Sequence, residues 1–282
     1  MGITSRASHP AQAGPNLEHL THLQDKILVR MATTKIPVLL TSSVIAYDTG
    51  VALKNQDERA RLALESVEQW LSTDPLLPLV LCDGSNFDFS SAVLRKFPLA
   101  RIECLHFENN QGLVKQQGRG YGEGEIVRHA VNHSKFIAEA GCFAKCTSKL
   151  WVENYLECLN AWNGELLCKG VFLDVFSISR RTYFAYIDTR FYVASCSTYN
   201  KYFVDAHLQI ESERGHGLEN CFYDIFAKCH LQNALFKVAP RICGVGGGTG
   251  SYYKNTFLRD AKERLRLNLV KLNKRFTPLF VK

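Results

Sequence analysis

The sequence predicts an α/β fold, a mostly parallel central sheet flanked by helices with a basic C-terminal helix after it. Three observations predict it. Short apolar runs of strand length alternate with segments whose apolar residues recur at helical spacing. Each run ends in a short polar connection, the pattern of a sheet covered on both faces. No internal repeat and no stretch rich in Pro, Gly or Ser divides the 282 residues into independent halves.

The elements follow in order. Ile36-Pro37-Val38-Leu39-Leu40 is the first strand, and Thr41-Ser42-Ser43 ends it. From Gln56 to Leu71 a helix places Ala60, Leu64, Val67 and Leu71 on one face, and Asp57, Glu58, Arg59, Arg61 and Glu65 on the other. Leu79 to Cys82 is the second strand, Ser90 to Phe97 a short helix and Ile102 to Phe107 the third strand. After Gly118-Arg119-Gly120-Tyr121-Gly122-Glu123-Gly124-Glu125 a helix carries Ile126, Val127, Ala130, Val131 and Ile137 as one stripe. Phe143 to Cys146 reads as the next strand. The second half is less regular: strand-like runs at Val171 to Phe176, Tyr183 to Ile187 and Phe191 to Ala194, a helix near Leu218 to His230, and a glycine cluster from Gly244 to Gly250.

Composition narrows the class. The net charge is +7, with 46% hydrophobic and 22% charged residues, which is ordinary globular composition. No run approaches the roughly 18 apolar residues of a membrane-spanning helix, so a soluble or peripheral protein is expected. The ten cysteines are scattered, and the closest pair, Cys142 and Cys146, has no second pair or histidine couple at zinc-site spacing. A reducing, cytoplasmic setting follows. Residues 1–30 lack the pattern of a packed element, and Met31 precedes the first strand. The expectation is a disordered or spurious leader over 1–30, a catalytic domain over 31–253 and a basic amphipathic helix over 254–282.

Two segments carry the first chemistry. The second strand delivers Asp83-Gly84-Ser85 at its carboxyl end, where ligands bind on such sheets, and Asp88 follows. A carboxylate there can accept hydrogen bonds from a base or ribose, and Gly84 allows close approach; the same residues also read as a plain Asx-capped turn. Further on stand Asn109-Asn110-Gln111-Gly112 and the glycine-rich run from Gly118. In this order the motifs resemble glycosyltransferases of the GT-A fold. More narrowly, Gly120-Tyr121-Gly122-Glu123-Gly124-Glu125 followed by Phe143-Ala144-Lys145-Cys146-Thr147-Ser148-Lys149-Leu150 is similar to bacterial surface-polysaccharide glycosyltransferases, over roughly Lys35 to Tyr253.

The resemblance implies a nucleotide-sugar donor. Thr41, Asp83 and Ser85 would lie against the nucleotide at the strand ends, with Gly120, Gly122 and Glu125 on the nucleotide-facing helix. The sequence departs from the family at one place. Typical members carry Asp-x-Asp after the fourth strand to hold a divalent metal, whereas here stands Lys145-Cys146-Thr147-Ser148-Lys149. The leaving diphosphate still needs its charge stabilised, which Lys145 and Lys149 can do without a metal, with Thr147 donating a hydrogen bond. No cofactor is therefore expected. Asp174 and Asp188 remain alternative manganese ligands, and both lysines also read as solvent-facing.

In the second half, Asp188-Thr189-Arg190 suits sugar hydroxyls, or is a structural ion pair at a strand end. Glu219 stands before a late helix, where many inverting members hold the base that deprotonates the acceptor, or it is a plain acid at a helix N-terminus; Asp188 and Glu123 are further catalytic candidates, Glu123 with the same plain alternative. The cluster Gly244 to Gly250 is neither a Walker loop nor a dinucleotide fingerprint, and reads as a lid, a plain loop or a phosphate cradle. Residues 254–282 hold nine basic and two acidic side chains, with Leu258, Leu265, Leu269 and Leu272 as an apolar stripe. An anionic membrane surface, the inner face of the plasma membrane, suits that helix better than nucleic acid, for which no motif is present, and a merely solvated helix is the other reading.

The expected activity is sugar transfer from a nucleotide donor to a hydroxyl of a cell-surface glycan such as O-antigen or capsule, free or lipid-linked. A sugar nucleotidyltransferase shares the layout but usually carries a Gly-rich basic signature after the first strand, absent from Thr41 to Gly50. A catalytically silent glycan-binding module is the non-enzyme alternative.

Overall fold

The computed structural model describes residues 35–281. The expected leader over 1–30 and the start at Met31 lie outside them. The chain runs through β1 (Val38–Ser42), α1 (Gln56–Thr73), β2 (Leu79–Asp83), α2 (Ser90–Lys96), β3 (Ile102–His106), α3 (Gln111–Gln117), α4 (Arg119–His133), α5 (Lys135–Ala140) and β4 (Cys142–Thr147). The second half holds β5 (Leu150–Val152), α6 (Tyr155–Leu159), β6 (Leu166–Leu173), β7 (Tyr183–Ser195), α7 (Cys196–Tyr202), α8 (Leu218–Lys228), β8 (Ile242–Val245), β9 (Tyr252–Tyr253) and α9 (Phe257–Leu272).

The main sheet has the order β3-β2-β1-β4-β7-β6. Pairs among β1 to β4 are parallel, while β7 runs antiparallel to both β4 and β6. The expected α/β class, with a mostly parallel sheet between helices, is therefore the one observed. Alternation along the strands explains the two faces. Val38, Leu40, Leu79 and Leu81 share a core with Ala63, Val67 and Trp70 of α1, whereas Leu39, Val80 and Cys82 face Ile126, Val127 and Ala130 of α4 and Phe222 of α8. A small second sheet, β5-β8-β9, is fixed to α1 through the Leu150 carbonyl, which accepts from Ser66 Oγ at 2.7 Å and Trp70 Nε1 at 3.1 Å.

Chain direction reverses its spread at β1: β2 and β3 lie on one side, β4 on the other. Such a switch point leaves a crevice outside the carboxyl ends of the two central strands, β1 and β4.

Several expectations need correction. The runs at 183–187 and 191–194 are one 13-residue strand, β7, unbroken at Asp188-Thr189-Arg190. The strand expected at Val171 to Phe176 is β6, which begins at Leu166 and ends at Leu173. The glycine run from Gly118 is not a loop preceding a helix: α4 starts at Arg119 and contains it. At Gly124 an added Cβ would sit 2.3 Å from His207 Cβ, so the glycines let neighbouring segments lie directly on this helix. On α9 the buried side is Val270, joined by Leu267, and the predicted stripe Leu258, Leu265, Leu269 and Leu272 is exposed.

The segment after α9 closes the core. Phe276 and Phe280 are buried, and Phe276 meets the Phe172 ring edge-on at 4.9 Å. Truncating a buried Phe to Ala costs about 3 to 5 kcal/mol through lost transfer energy and the cavity left behind. Phe276→Ala is accordingly expected to lower unfolding free energy by about 3 kcal/mol or more in urea titration, although the residue lies beyond the last helix.

Candidate functional site

A cavity of about 370 Å³ opens at this crevice, lined by Thr41 to Ser43 at the end of β1, by Thr147 and Lys149, and by residues of α4, α8 and the glycine cluster. Three buried polar atoms along its wall, Thr41 Oγ1, Ser42 Oγ and Asn109 Oδ1, have no hydrogen-bond partner among the described residues. Buried groups of this kind ordinarily have partners, so these three atoms leave this part of the wall open to further hydrogen bonds.

Asp83 does not face that cavity, and Ser85 does not line it either. The Asp83 carboxylate is buried and accepts from Val44 N at 2.9 Å, Ser85 N at 2.7 Å, Ser85 Oγ at 2.6 Å and Phe87 N at 3.2 Å. Ser85 Oγ accepts in turn from Ile45 N at 2.9 Å. Direct nucleoside contact by Asp83 is corrected to a supporting role: its acceptor positions are used in holding the segment after β1 over the cavity.

Lys145 needs a similar correction. Its side chain has no solvent exposure, and its ammonium donates to Glu123, to Thr147 Oγ1 at 3.0 Å and to the Thr189 carbonyl at 2.8 Å. All three protons are used, leaving none for a diphosphate. Glu123 also accepts from Thr147 Oγ1 at 3.1 Å, so this candidate base and the Thr147 hydroxyl belong to the same buried network.

Lys149 is the lysine that lines the cavity. Its ammonium touches Ser148 Oγ at 3.2 Å, and burial, reinforced by the Arg59 charge, pushes its pKa down to about 7. A Cβ on Gly247 would lie 3.1 Å from Lys149 Cε, and one on Gly248 would lie 2.7 Å from Arg119 Cζ. The glycine cluster thus lies against two cations, with Arg59 beside them, and bare backbone is what permits the approach. Arg59 was expected on the exposed face of α1. Instead it is buried, donating to the Ser43 carbonyl at 2.5 and 2.7 Å and to the Leu53 carbonyl at 2.9 Å. The spacing Arg59, Ala63, Ser66, Trp70 would have placed it on the inner face.

Across the cavity stands Glu219, in the first turn of α8. Among the described residues no side-chain donor or cation bonds to it. Burial raises its pKa above the ordinary carboxylate value, with the Glu123 and Asp188 charges adding to the effect. Asp188 differs sharply. Its burial would raise the pKa too, but the Arg190 fork at 2.8 and 2.5 Å, with Lys169 at 3.7 Å, outweighs it and holds the carboxyl low. Arg190 lines the main cavity, stacked 5.2 Å from the Tyr253 ring, while Asp188 lines a neighbouring one.

Of the helix residues, Gly120 and Gly122 line the cavity, and each also admits a close neighbour: an added Cβ would be 3.1 Å from Leu218 Cβ and 2.9 Å from Asn109 Nδ2 respectively. Glu125 lies away from it and accepts from Asn110 N at 3.0 Å. The structure therefore brings Thr41, Gly120, Gly122, Glu123, Thr147, Lys149, Arg190 and Glu219 together, and sets Asp83, Ser85, Glu125, Lys145 and Asp188 outside the lining. Residues that sequence reasoning missed are Arg59, Arg119, Asn109 and Tyr253.

The metal alternative does not fit these residues. Asp188 gives both oxygens to Arg190, Asp174 faces Arg180 at 3.9 Å, and no cluster of three His, Cys, Asp or Glu among the described residues is arranged to hold an ion.

No protein-family model matches the chain, and no curated protein matches it. Among solved structures it is similar to the inositol-1-phosphate CTP transferase from T. maritima, at 10% identity over 85% of this chain and 98% of that one, with a TM-score of 0.42. It is similar also to the 4-diphosphocytidyl-2C-methyl-D-erythritol synthase from Anaerococcus prevotii, at 8% identity over 83% and 99%, TM-score 0.42. A third is mouse xyloside xylosyltransferase 1, at 12% identity over 70% and 82%, TM-score 0.38.

The Lys145–Glu123 pair is asymmetric, and mutants should show it. Lys145→Met leaves Glu123, whose side chain is 20% exposed and can be rehydrated. Glu123→Gln leaves a fully buried ammonium with neutral acceptors only and no counter-charge. Removing one partner of a buried pair typically costs about 3 to 5 kcal/mol, so Glu123→Gln is expected in that range and Lys145→Met below it, both read from urea denaturation at pH 7.

Proposed function

We propose that the chain is a glycosyltransferase that moves a sugar from a nucleotide-diphosphate donor to a hydroxyl of a cell-surface glycan. One observation carries the reading: a carboxylate without a cationic partner, Glu219, shares the switch-point cavity with Lys149, Arg59, Arg119 and Arg190. The resemblance of the ordered motifs to surface-polysaccharide glycosyltransferases supports the same conclusion. A base and an anion cradle in one cavity are what transfer to a hydroxyl requires.

The steps follow from the charges. The donor diphosphate lies against Lys149, Arg119 and the backbone amides of Gly247 and Gly248, and at the buried Lys149 low exposure strengthens the interaction. Near pH 7 the Lys149 ammonium is poised between charged and neutral, and an incoming diphosphate favours the protonated form. Thr41 Oγ1, Ser42 Oγ and Asn109 Oδ1 gain partners from the nucleotide. The acceptor hydroxyl then attacks the anomeric carbon as the bond to the diphosphate oxygen breaks. Glu219 takes the hydroxyl proton, and the negative charge moves to the leaving diphosphate.

A nucleotidyl transfer would place attack at the donor's α-phosphate and use a basic glycine-rich turn directly after β1. The segment there, Ser43 to Gly50, contains no Lys or Arg.

Glu219→Gln tests the assignment. It keeps shape and removes the base, so transfer from UDP- or GDP-sugar donors is expected to fall about 10²- to 10⁴-fold with melting temperature and nucleoside-diphosphate affinity unchanged. Because the Glu219 carboxyl titrates above its ordinary value, the parent should lose activity as pH falls through that raised pKa, and the variant should lack this limb. A Gln variant transferring within about tenfold of the parent would remove Glu219 from the mechanism. Transfer should also continue unchanged in EDTA, since the diphosphate is met by cationic side chains; loss restored by manganese would contradict this.

A further inference from the structure

Helix α9 turns its apolar stripe away from the protein. Leu258, Leu265, Leu269 and Leu272 recur at intervals of seven, four and three residues, which at 100° per residue is one face, and all four are exposed. Phe257 adjoins them at the helix start and is 86% exposed. The opposite side carries Leu267 and Val270 against the core.

The charges divide along the same line. Asp260 and Glu263, the helix's two acids, are half-buried on the inner side and paired, with Arg264 at 2.9 Å and Arg266 at 2.9 Å. Lys262 lies beside the leucines and is exposed, as are Arg259, Lys274 and Arg275. The outward face therefore combines large apolar side chains with cations and no carboxylate. The loop between β6 and β7 meets the flank of the helix at Arg266. Phe176 stands 5.7 Å from the Arg266 guanidinium, Ile178 is fully exposed, and Arg180 and Arg181 follow.

We propose that this two-part surface, the outer face of α9 and the Phe176–Arg181 loop, docks on an anionic lipid bilayer. Leucines, Phe257 and Ile178 would enter the interface between headgroups and acyl chains, and the basic side chains would meet the headgroup phosphates. A stripe this apolar needs a cover, and the cations around it choose the cover's sign. A second copy of the chain would set like charges against each other, whereas an anionic bilayer satisfies both features. The inference does not depend on the transfer reaction.

Sedimentation of the full chain with vesicles tests it. Phosphatidylcholine vesicles containing phosphatidylglycerol should bind the protein at least about tenfold more tightly than phosphatidylcholine alone, and raised salt should weaken that binding. The double substitution Leu265→Ser with Leu269→Ser should cut binding to the anionic vesicles by about tenfold or more at unchanged melting temperature, because both side chains are exposed. Ile178→Ser should give a smaller loss of its own. Equal binding to neutral and anionic vesicles overturns the proposal, as does a double variant that binds like the parent. Self-association through this face, seen by light scattering and abolished by the double substitution, would show instead that a second copy covers it.

Discussion

An ammonium group sealed from water has to be matched where it stands, and in this protein that group is Lys145. Its three donors reach Glu123 on α4, Thr147 at the end of β4 and the Thr189 carbonyl on β7. Those elements form one side of the cavity, so the requirement to satisfy a single charge fixes their relative positions. Buried ion pairs are weak contributors to net stability but exacting about geometry. Here the geometry fixes α4, β4 and β7 against one another on that side.

The neighbouring cation is treated in the opposite way. Lys149 is as deeply buried, yet its contact is one hydroxyl, and burial pushes its pKa down to about 7. Two lysines four residues apart thus differ: Lys145 is matched on all three donors, and Lys149 has a single hydroxyl contact. Glu219 and Asp188 divide likewise. Asp188 is held low by Arg190 and Lys169, and Glu219, without such partners, is raised. Neutral or proton-hungry groups at one cavity, next to fully matched ones just behind it, separate chemistry from support.

Much of the first half was legible in the sequence because buried parallel strands have to be continuous apolar runs, and the turns after them have to be polar. The strands at 38 and 79 follow that rule, whereas the half-buried β3 carries Glu103 and β4 carries Lys145. The second half escaped it for physical reasons. A 13-residue strand that carries Asp188 and Arg190 mid-length looks broken by charge, since nothing in the sequence shows that the two neutralise each other. Glycines in α4 look like a loop because their reason for being there, His207 and Asn109 lying against the helix, is remote in the chain. Residue types pointed to the site, with Glu219, Lys149 and Arg190 all lining it, while Asp83 and Lys145 show that a carboxylate or ammonium at a strand end is as readily consumed by the fold as offered to a ligand. For α9 the leucine stripe was legible, but the side on which the protein would lie was not.

The backbone at Lys149 adds a consequence. Its φ is +74°, in the left-handed region that side chains with a Cβ enter at a cost and glycine enters freely. Two penalties therefore meet at one residue, a strained main chain and a buried amine short of partners. A chain selected for stability alone would place glycine at this turn. That lysine stands there instead makes position 149 a local reservoir of free energy, and under the proposed function an anion beside the amine would release part of it. The β4–β5 turn is consequently a part of the cavity wall that, under the proposed function, a bound anion would steady.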